Sequence, residues 1–344
     1  MNPNNRKAYI ILLLLIVLAC DKLQAQDLVA DNMVLFQRSS GGWPKHFEEK
    51  AINYKRVYTV VEKATIVDDI GRNDATIDND ATTKEIWYLT KAYKQFKNSA
   101  YLSAAENGIR YLLKAQYKNG GWPQFYPDFS LYRSEITYND NAMVNVLKVL
   151  QDVILKRNNL DIVDAALATP SAIAVKKGID CILKTQVKVN GKLTVWCAQY
   201  DAKSLLPAKA RTFELVSLSG SESVGVVEFL MQQPNPSQAI KDAINGAINW
   251  FNNSKIVGYN FVQVPDASAQ KGFDKVMIED KNATIWARFY DIETNEPFFS
   301  GRDSQKKKSV KDIEYERRTG YAWYGTWPAE LLDKKYPKWV TINK

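Results

Sequence analysis

The sequence predicts a mainly α domain in which helical hairpins close into a toroid, with long loops and a few short β-strands. Three observations carry this. Six segments repeat apolar residues at helical spacing. Three polar stretches each lead into one of those helices: Thr76-Ile77-Asp78-Asn79-Asp80, Thr137-Tyr138-Asn139-Asp140-Asn141 and Leu218-Ser219-Gly220-Ser221-Glu222. The motif Gly41-Gly42-Trp43-Pro44 recurs as Gly120-Gly121-Trp122-Pro123. Repeated polar-to-apolar transitions are what helical hairpins around a ring produce, with the inner-helix starts opening at one end.

In chain order, Arg6 and Lys7 precede an eleven-residue apolar run, 9–19. It is too short for the ~20 residues of a membrane span and matches the core of an export signal. Two exits follow. Leu23-Gln24-Ala25 can end a peptide cleaved before Gln26, making 1–25 the signal and 26–344 the mature chain. Alternatively, Val17-Leu18-Ala19-Cys20 can act as a lipobox and place a lipid on Cys20. Leu18 is not favoured in such a box, so simple cleavage is the preferred reading. The folded part is then secreted or periplasmic, or held at the outer surface through Cys20. No other stretch reads as a membrane span.

Helical periodicity runs through 81–96, with Ile86, Leu89, Ala92 and Tyr93 on one face. It continues through 101–116, with Ala105, Ile109, Leu112 and Leu113, and through 141–155, with Met143, Val144, Leu147, Leu150 and Ile154. Similar patterns cover 172–187, 221–231 and 237–252. Strand signals are confined to 192–198 and 255–263. Beyond Pro297 the chain reads as irregular until Tyr321-Ala322-Trp323-Tyr324. There Thr326-Trp327-Pro328 repeats part of the Gly-Gly-Trp-Pro motif. In that motif the glycines allow unusual turns and Trp-Pro fixes an extended corner.

Composition removes several function classes. A single histidine, His46, excludes metal sites built on several His, and no Ser-His-Asp triad can form without it. Cys20, Cys181 and Cys197 are too few for a disulfide scaffold or a four-thiolate zinc site. Export permits a Cys181–Cys197 disulfide, and two buried thiols beside Trp196 are the equal alternative. The net charge of +8 favours a polyanionic partner. Nucleic acid and an acidic polysaccharide are the candidates; no nucleic-acid motif appears, and the basic residues are spread along the chain rather than clustered. The lysine run 306–308 reads as a solvated loop. Nine Trp and eighteen Tyr suit sugar-ring stacking as well as core packing.

Two residue sets carry chemistry. Asp78, Asn79, Asp80 and Asn139, Asp140, Asn141 are oxygen-rich clusters without neighbouring His or Cys, suited to Ca²⁺ rather than zinc. Neither follows EF-hand spacing. Helix capping alone would also favour Asp and Asn here, although it does not need several in one run. Arg211, Arg288 and Arg302 form the second set. Arginine is shaped to hold a carboxylate through two parallel hydrogen bonds. The structural alternative is a salt bridge, with Asp291, Glu293 and Asp303 close in sequence to the latter two.

Several motifs together resemble the family 10 polysaccharide lyases, pectate lyases built as an (α/α)3 toroid. They are Gly41-Gly42-Trp43-Pro44-Lys45, Thr76-Ile77-Asp78-Asn79, Gly120-Gly121-Trp122-Pro123-Gln124-Phe125-Tyr126-Pro127, Ile136-Thr137-Tyr138-Asn139-Asp140, Trp196-Cys197-Ala198-Gln199, Leu218-Ser219-Gly220-Ser221-Glu222-Ser223 and Phe299-Ser300-Gly301-Arg302-Asp303. The resemblance covers about 30–344, so 26–344 is expected to be one pectate lyase catalytic domain. It implies calcium-dependent β-elimination on polygalacturonate, giving 4,5-unsaturated oligogalacturonates; separately, the chain is expected to be a monomer. Under the resemblance, Asp78 and Asp140 are metal-binding carboxylates, Asn79 binds substrate beside Asp78, and Arg288 and Arg302 grip substrate carboxylates. Arg211 resembles the catalytic arginine. As a base it must be neutral, which requires nearby cations such as Ca²⁺ and another arginine to depress its pKa. His46, after Lys45, departs from the family pattern and receives no role. Two rival readings remain. A glycoside hydrolase on a similar toroid could recruit Asp78 and Asp140 but would need neither the arginines nor calcium. A non-catalytic acidic-polysaccharide binder would need no base.

Overall fold

The structure is a computed structural model that describes residues 27–343. The export signal, its cleavage point and Cys20 lie outside the described residues. The helices are α1 (Leu28–Phe36), α2 (Val60–Asp68), α3 (Thr83–Phe96), α4 (Ser99–Ala115), α5 (Ala142–Leu155), α6 (Ala168–Thr185), α7 (Glu222–Met231), α8 (Gln238–Ser254), α9 (Tyr315–Gly320) and α10 (Tyr336–Ile342). Three antiparallel hairpins, α3–α4, α5–α6 and α7–α8, succeed one another as an (α/α)3 toroid. Helices α3, α5 and α7 touch in turn on the inside, and α4, α6 and α8 form the outer ring. Helix α5 shows why: ten of its fourteen residues are buried, so it has no face to offer solvent.

One tryptophan brace repeats at the ends of α1 and of each outer helix. The indole N–H of Trp43 donates to Met33 O at 2.6 Å, and those of Trp122, Trp196 and Trp286 donate to Leu112, Ile182 and Phe251 O at 2.7–2.8 Å. Each acceptor lies three residues before the end of α1, α4, α6 or α8, where helix carbonyls lack partners. The C-cap glutamines Gln37, Gln116 and Gln186 each donate twice. One bond goes to their own loop, at Gly41, Gly120 or Thr194 O, and the other to the next outer helix, at Ala104, Ala174 or Ala243 O. Gly41 and Gly120 are required by the close approach. Both have φ near +96°, at +95° and +97°, and a Cβ there would sit 2.6 Å from Asn107 O or 2.0 Å from Lys177 O.

The strands that position the site are β1 (Ile136–Thr137), β2 (Gln199–Tyr200), β3 (Leu218–Ser219), β4 (Ile256–Pro265), β5 (Phe273–Ala287), β6 (Phe289–Tyr290) and β7 (Tyr324–Gly325). Antiparallel pairs β1–β2 and β3–β6 hold each polar inner turn against the loop after a tryptophan, and the Thr76–Phe125 bridge does so for the first. β4, β5 and β7 form a separate three-stranded sheet.

Several expectations change. The strand read over 192–198 shrinks to Lys192–Leu193, because Trp196 turns inward as a brace. The strand read over 255–263 is real, but its partner β5 escaped notice because charged Asp274, Lys275, Glu279, Asp280 and Lys281 mask its pattern. Helix α2 also went unread, although Thr59 and Glu62 form a capping box visible in the sequence. Beyond Pro297 the chain contains α9, α10 and β7. Thr326-Trp327-Pro328 is not a further copy of the brace: Trp327 packs its ring on Gly325. Cys181 and Cys197 are free, buried thiols. Lys306 and Lys307 pair with Asp291 and Asp303 at the surface, as a solvated loop should.

We expect Gln116→Ala to cost about 1–3 kcal/mol, since two carbonyls at 3.0 and 2.9 Å lose their donor. Urea unfolding with an unchanged midpoint would sink the glutamine-brace account. A second prediction concerns Glu85 on α3. It is fully buried, accepts from Tyr54 Oη at 2.9 Å, and its other oxygen has no partner. Burial raises its pKa to about 7. The folded state therefore binds this proton more tightly than the unfolded state. The resulting stability is present below pH ~4.5 and is lost, by about 3 kcal/mol, as pH rises through about 7. Glu85→Gln should flatten that slope in denaturant melts across pH; equal slopes would show that Glu85 is ionised throughout.

Candidate active site

The inner turns open at one end of the toroid, and left-handed backbone aims their side chains. Asn79 (φ 49°) and Asp80 (φ 63°) match Asp140 (φ 51°) and Asn141 (φ 58°) position for position. Asn and Asp tolerate this region better than other non-glycine residues, which explains their concentration there. The peptide N–H groups of Thr76, Thr137 and Ser219 donate to the Trp43, Trp122 and Trp196 carbonyls at 2.8–3.2 Å. The next N–H groups, of Ile77, Tyr138 and Gly220, donate to Gln124, Ala198 and Arg288 O at 2.8–3.1 Å. Each of these acceptors lies two residues after a brace tryptophan. That position, occupied by Lys45, Gln124, Ala198 and Arg288, therefore runs alongside the polar turns.

The side chains follow. Lys45 pairs with Asp78 Oδ2, which also accepts from Asn79 Nδ2 at 3.1 Å. Arg288 pairs with buried Glu222 and lies 3.7 Å from Asp140 Oδ1, while Asn139 Nδ2 donates to Asp140 Oδ2 at 2.8 Å. Its actual partners come from distant inner turns, not from the sequence-adjacent Asp291, Glu293 or Asp303. Burial pushes the Asp140 carboxyl above its ordinary range; Arg288 pulls it down, and the like charges of Glu222, Asp78 and Glu214 push it up.

Arg211 completes the constellation from a different loop. Its Nε and Nη2 bind Glu214 at 2.8 and 2.6 Å, and its guanidinium lies 4.8 Å from the Phe213 ring centre. Tyr321 links the two arginines: its hydroxyl donates to Glu214 at 3.1 Å, and Arg288 lies 4.9 Å over its ring. The depression expected for Arg211 is reversed in this arrangement. The hydrogen-bonded Glu214 carboxylate raises its pKa, against the opposing effect of burial. Arg302 stands apart on the rim, 62% exposed, with its Nε bound to Glu316 at 2.8 Å.

The structure therefore gathers Asp78, Asn79, Asp140 and Arg288, connects Arg211 to them through Tyr321, and leaves Arg302 outside. A cleft of ≈ 600 Å³ adjoins Asp78, lined by Lys45, His46, Arg72, Gln124, Tyr132 and Arg133 among others. Sequence reasoning missed Lys45, Glu214, Glu222 and Tyr321 as site residues. Only Glu222 carried a readable signal, the capping pattern with Ser219, whose Oγ accepts from Glu222 N at 3.0 Å.

The oxygen-donor chemistry of Asp78 and Asp140 fits a hard divalent cation, and the crowded negative charge around Asp140 favours one. Among the described residues, no three His, Cys, Asp or Glu converge into a ready-made metal cage.

A family model described as pectic acid lyase matches residues 37–332. The chain is similar to the solved family 10 polysaccharide lyase from Cellvibrio cellulosa, with 37% identity, a TM-score of 0.78, and coverage of 90% of this chain and 91% of that one. It is equally similar to an aspartate-to-alanine mutant of that lyase in complex with trigalacturonic acid, at 37% identity and TM-score 0.78, covering 90% and 92% of the two chains. No curated protein matches.

Proposed function

The chain belongs to the pectic acid lyase family, and on that premise we propose that it is a secreted enzyme cleaving α-1,4-polygalacturonate by calcium-dependent β-elimination. As a pectate lyase it acts on polysaccharide by elimination rather than hydrolysis. The observation that supports these residue assignments is the continuous path Asp140–Arg288–Tyr321–Glu214–Arg211 beside Asp78, at the open end of the inner helices.

The C5 hydrogen of a galacturonate unit is weakly acidic, because its removal places a second negative charge on the carboxylate. Cationic groups at that carboxylate lower the barrier, usually the largest effect in such sites. Asp78 and Asp140, with Asn79 against the substrate, would hold Ca²⁺, which supplies further charge neutralisation when bound. We assign Arg288 and Arg302 to substrate carboxylates. Arg302 can exchange exposed Glu316 for such a partner at little cost, since surface ion pairs contribute only about 0–1 kcal/mol. Arg211 is assigned the C5 proton. The C–H electron pair becomes the C4=C5 double bond as the C4–O4 bond breaks, and the departing oxygen takes up a proton. Arg211 returns its own proton to solvent, so no water is consumed. Because Glu214 holds Arg211 as a cation, that pair has to open before transfer, and high pH favours the neutral base.

The test is ultraviolet monitoring of polygalacturonate, since elimination creates a conjugated, absorbing product and hydrolysis releases reducing ends without it. We expect the signal to vanish with a strong chelator and to return with added Ca²⁺. Full activity after verified metal removal would overturn the calcium assignment. Arg211→Lys should lose several orders of magnitude in turnover while binding substrate, and the wild type should be most active on the alkaline side. Near-normal turnover of that variant, or an acidic optimum, would move the base role to a carboxylate such as Asp78.

A further inference from the structure

Arg317, on α9, makes no salt bridge among the described residues. It is 8% exposed, and its Nε and Nη2 are buried with no hydrogen-bond partner. Its guanidinium lies 3.5 Å from the Phe213 ring centre and 4.9 Å from that of Tyr321. Phe213 also carries Arg211 at 4.8 Å, and Tyr321 also carries Arg288 at 4.9 Å. Two aromatic rings thus hold three guanidinium groups. Glu222 answers Arg288 and Glu214 answers Arg211, while the nearby Glu316 is bound to Arg302. A buried charge left unpaired is costly, and ring faces recover only part of that cost. Packing alone would be served better by a methionine or leucine of similar volume. Stability therefore does not explain the arrangement.

We propose that Arg317 is a positioning residue for Arg211: its unpaired guanidinium, seated on the ring that Arg211 shares, supplies the uncompensated positive charge against which Arg211 works as a base. The inference rests on the assignment of Arg211 as that base. Burial and the neighbouring cations Arg211 and Arg302 bias Arg317 itself toward losing its charge, against Glu316 and Tyr321. The groups facing Arg211 are Glu214 on its own loop, Tyr132 from the turn 131–134, Tyr321 and Arg317 from the C-terminal segment, and Arg302 from the rim. Glu214, Tyr321 and Tyr132 favour the Arg211 cation; Arg211 disfavours the charges of Arg317 and Arg302, and like-charge repulsion acts equally on both members of a pair. Of Arg317 and Arg302, only Arg317 is shielded from solvent and salt.

The experiment compares pH profiles of kcat/KM on polygalacturonate, in saturating Ca²⁺, for the wild type, Arg317→Met and Arg317→Lys, with thermal melting of each. Removing the positive charge makes Arg211 hold its proton more tightly. The rising alkaline limb of Arg317→Met should move up by on the order of one pH unit, about a tenfold loss at a fixed pH on that limb. Arg317→Lys keeps the charge and should keep the limb where the wild type has it. A folded Arg317→Met whose limb coincides with the wild type, whatever its amplitude, overturns the proposal. If Arg317→Met does not fold, Arg317→Gln decides in its place: a limb raised by a unit supports the proposal and an unmoved one overturns it. Arg211→Ala separates the two claims. If it retains turnover, the base assignment fails and takes this inference with it. If it is inactive while the Arg317→Met limb stays in place, the inference alone fails.

Discussion

The structure depends on one constraint: backbone polar groups at the inner end of the toroid are buried and need partners. The tryptophan loops provide them. Each brace tryptophan anchors its indole on the end of α1 or of an outer helix. Its own carbonyl and the carbonyl two residues on are then presented to inner turns, both of them after Trp122 and Trp196 and one of them after Trp43 and Trp286. Because that second residue lies next to the turn, its side chain becomes a site residue or a cleft wall. Lys45 against Asp78 and Arg288 against Asp140 and Glu222 are the charged results. The satisfaction of buried amides and the placement of catalytic candidates are the same hydrogen bonds.

The site is poised by opposing charge. On one side, burial, helped by the like charges of Glu222, Asp78 and Glu214, pushes Asp140 above its ordinary range. On the other, Arg211, Arg288 and Arg317 share the faces of Phe213 and Tyr321. Tyr321 spans the division, bonding Glu214 through its hydroxyl while its ring faces two guanidinium groups. A polyanionic substrate and a divalent cation would each relieve one half of this arrangement. Glu222, Glu214 and Lys45 answer Arg288, Arg211 and Asp78, while Arg317 and the crowded Asp140 are less well compensated. That is how a site differs from a structural ion-pair network, whose members already satisfy one another.

Much of this was legible beforehand. Amphipathic periodicity gave the helices corresponding to α3 through α8, because a toroid's hairpins bury one face each and leave a regular pattern. The recurrent Asp-Asn turns marked Asp78 and Asp140, because left-handed backbone and oxygen ligation favour the same few residue types. Two of the braces were visible as Gly-Gly-Trp-Pro. Those at Trp196 and Trp286 were not, because there the surrounding loops reach the same geometry without glycine or proline, and a lone tryptophan carries no pattern.

What the sequence determined by itself, then, is the set of local decisions: which segments are helical, where the inner helices begin, and which turns carry oxygen ligands. Those depend on residues within a few positions of one another. Tertiary structure alone decided the charge state of the site. Arg211 meets Glu214 three residues away, but the buried Glu214 carboxylate is also held by Tyr321, 107 residues from it. Arg288 finds Glu222 across 66 residues. Arg317 is unpaired among the described residues because α9 docks it onto Phe213, where its buried Nε and Nη2 meet no hydrogen-bond partner. Electrostatics is set by distance and burial in space, and neither is a function of separation along the chain.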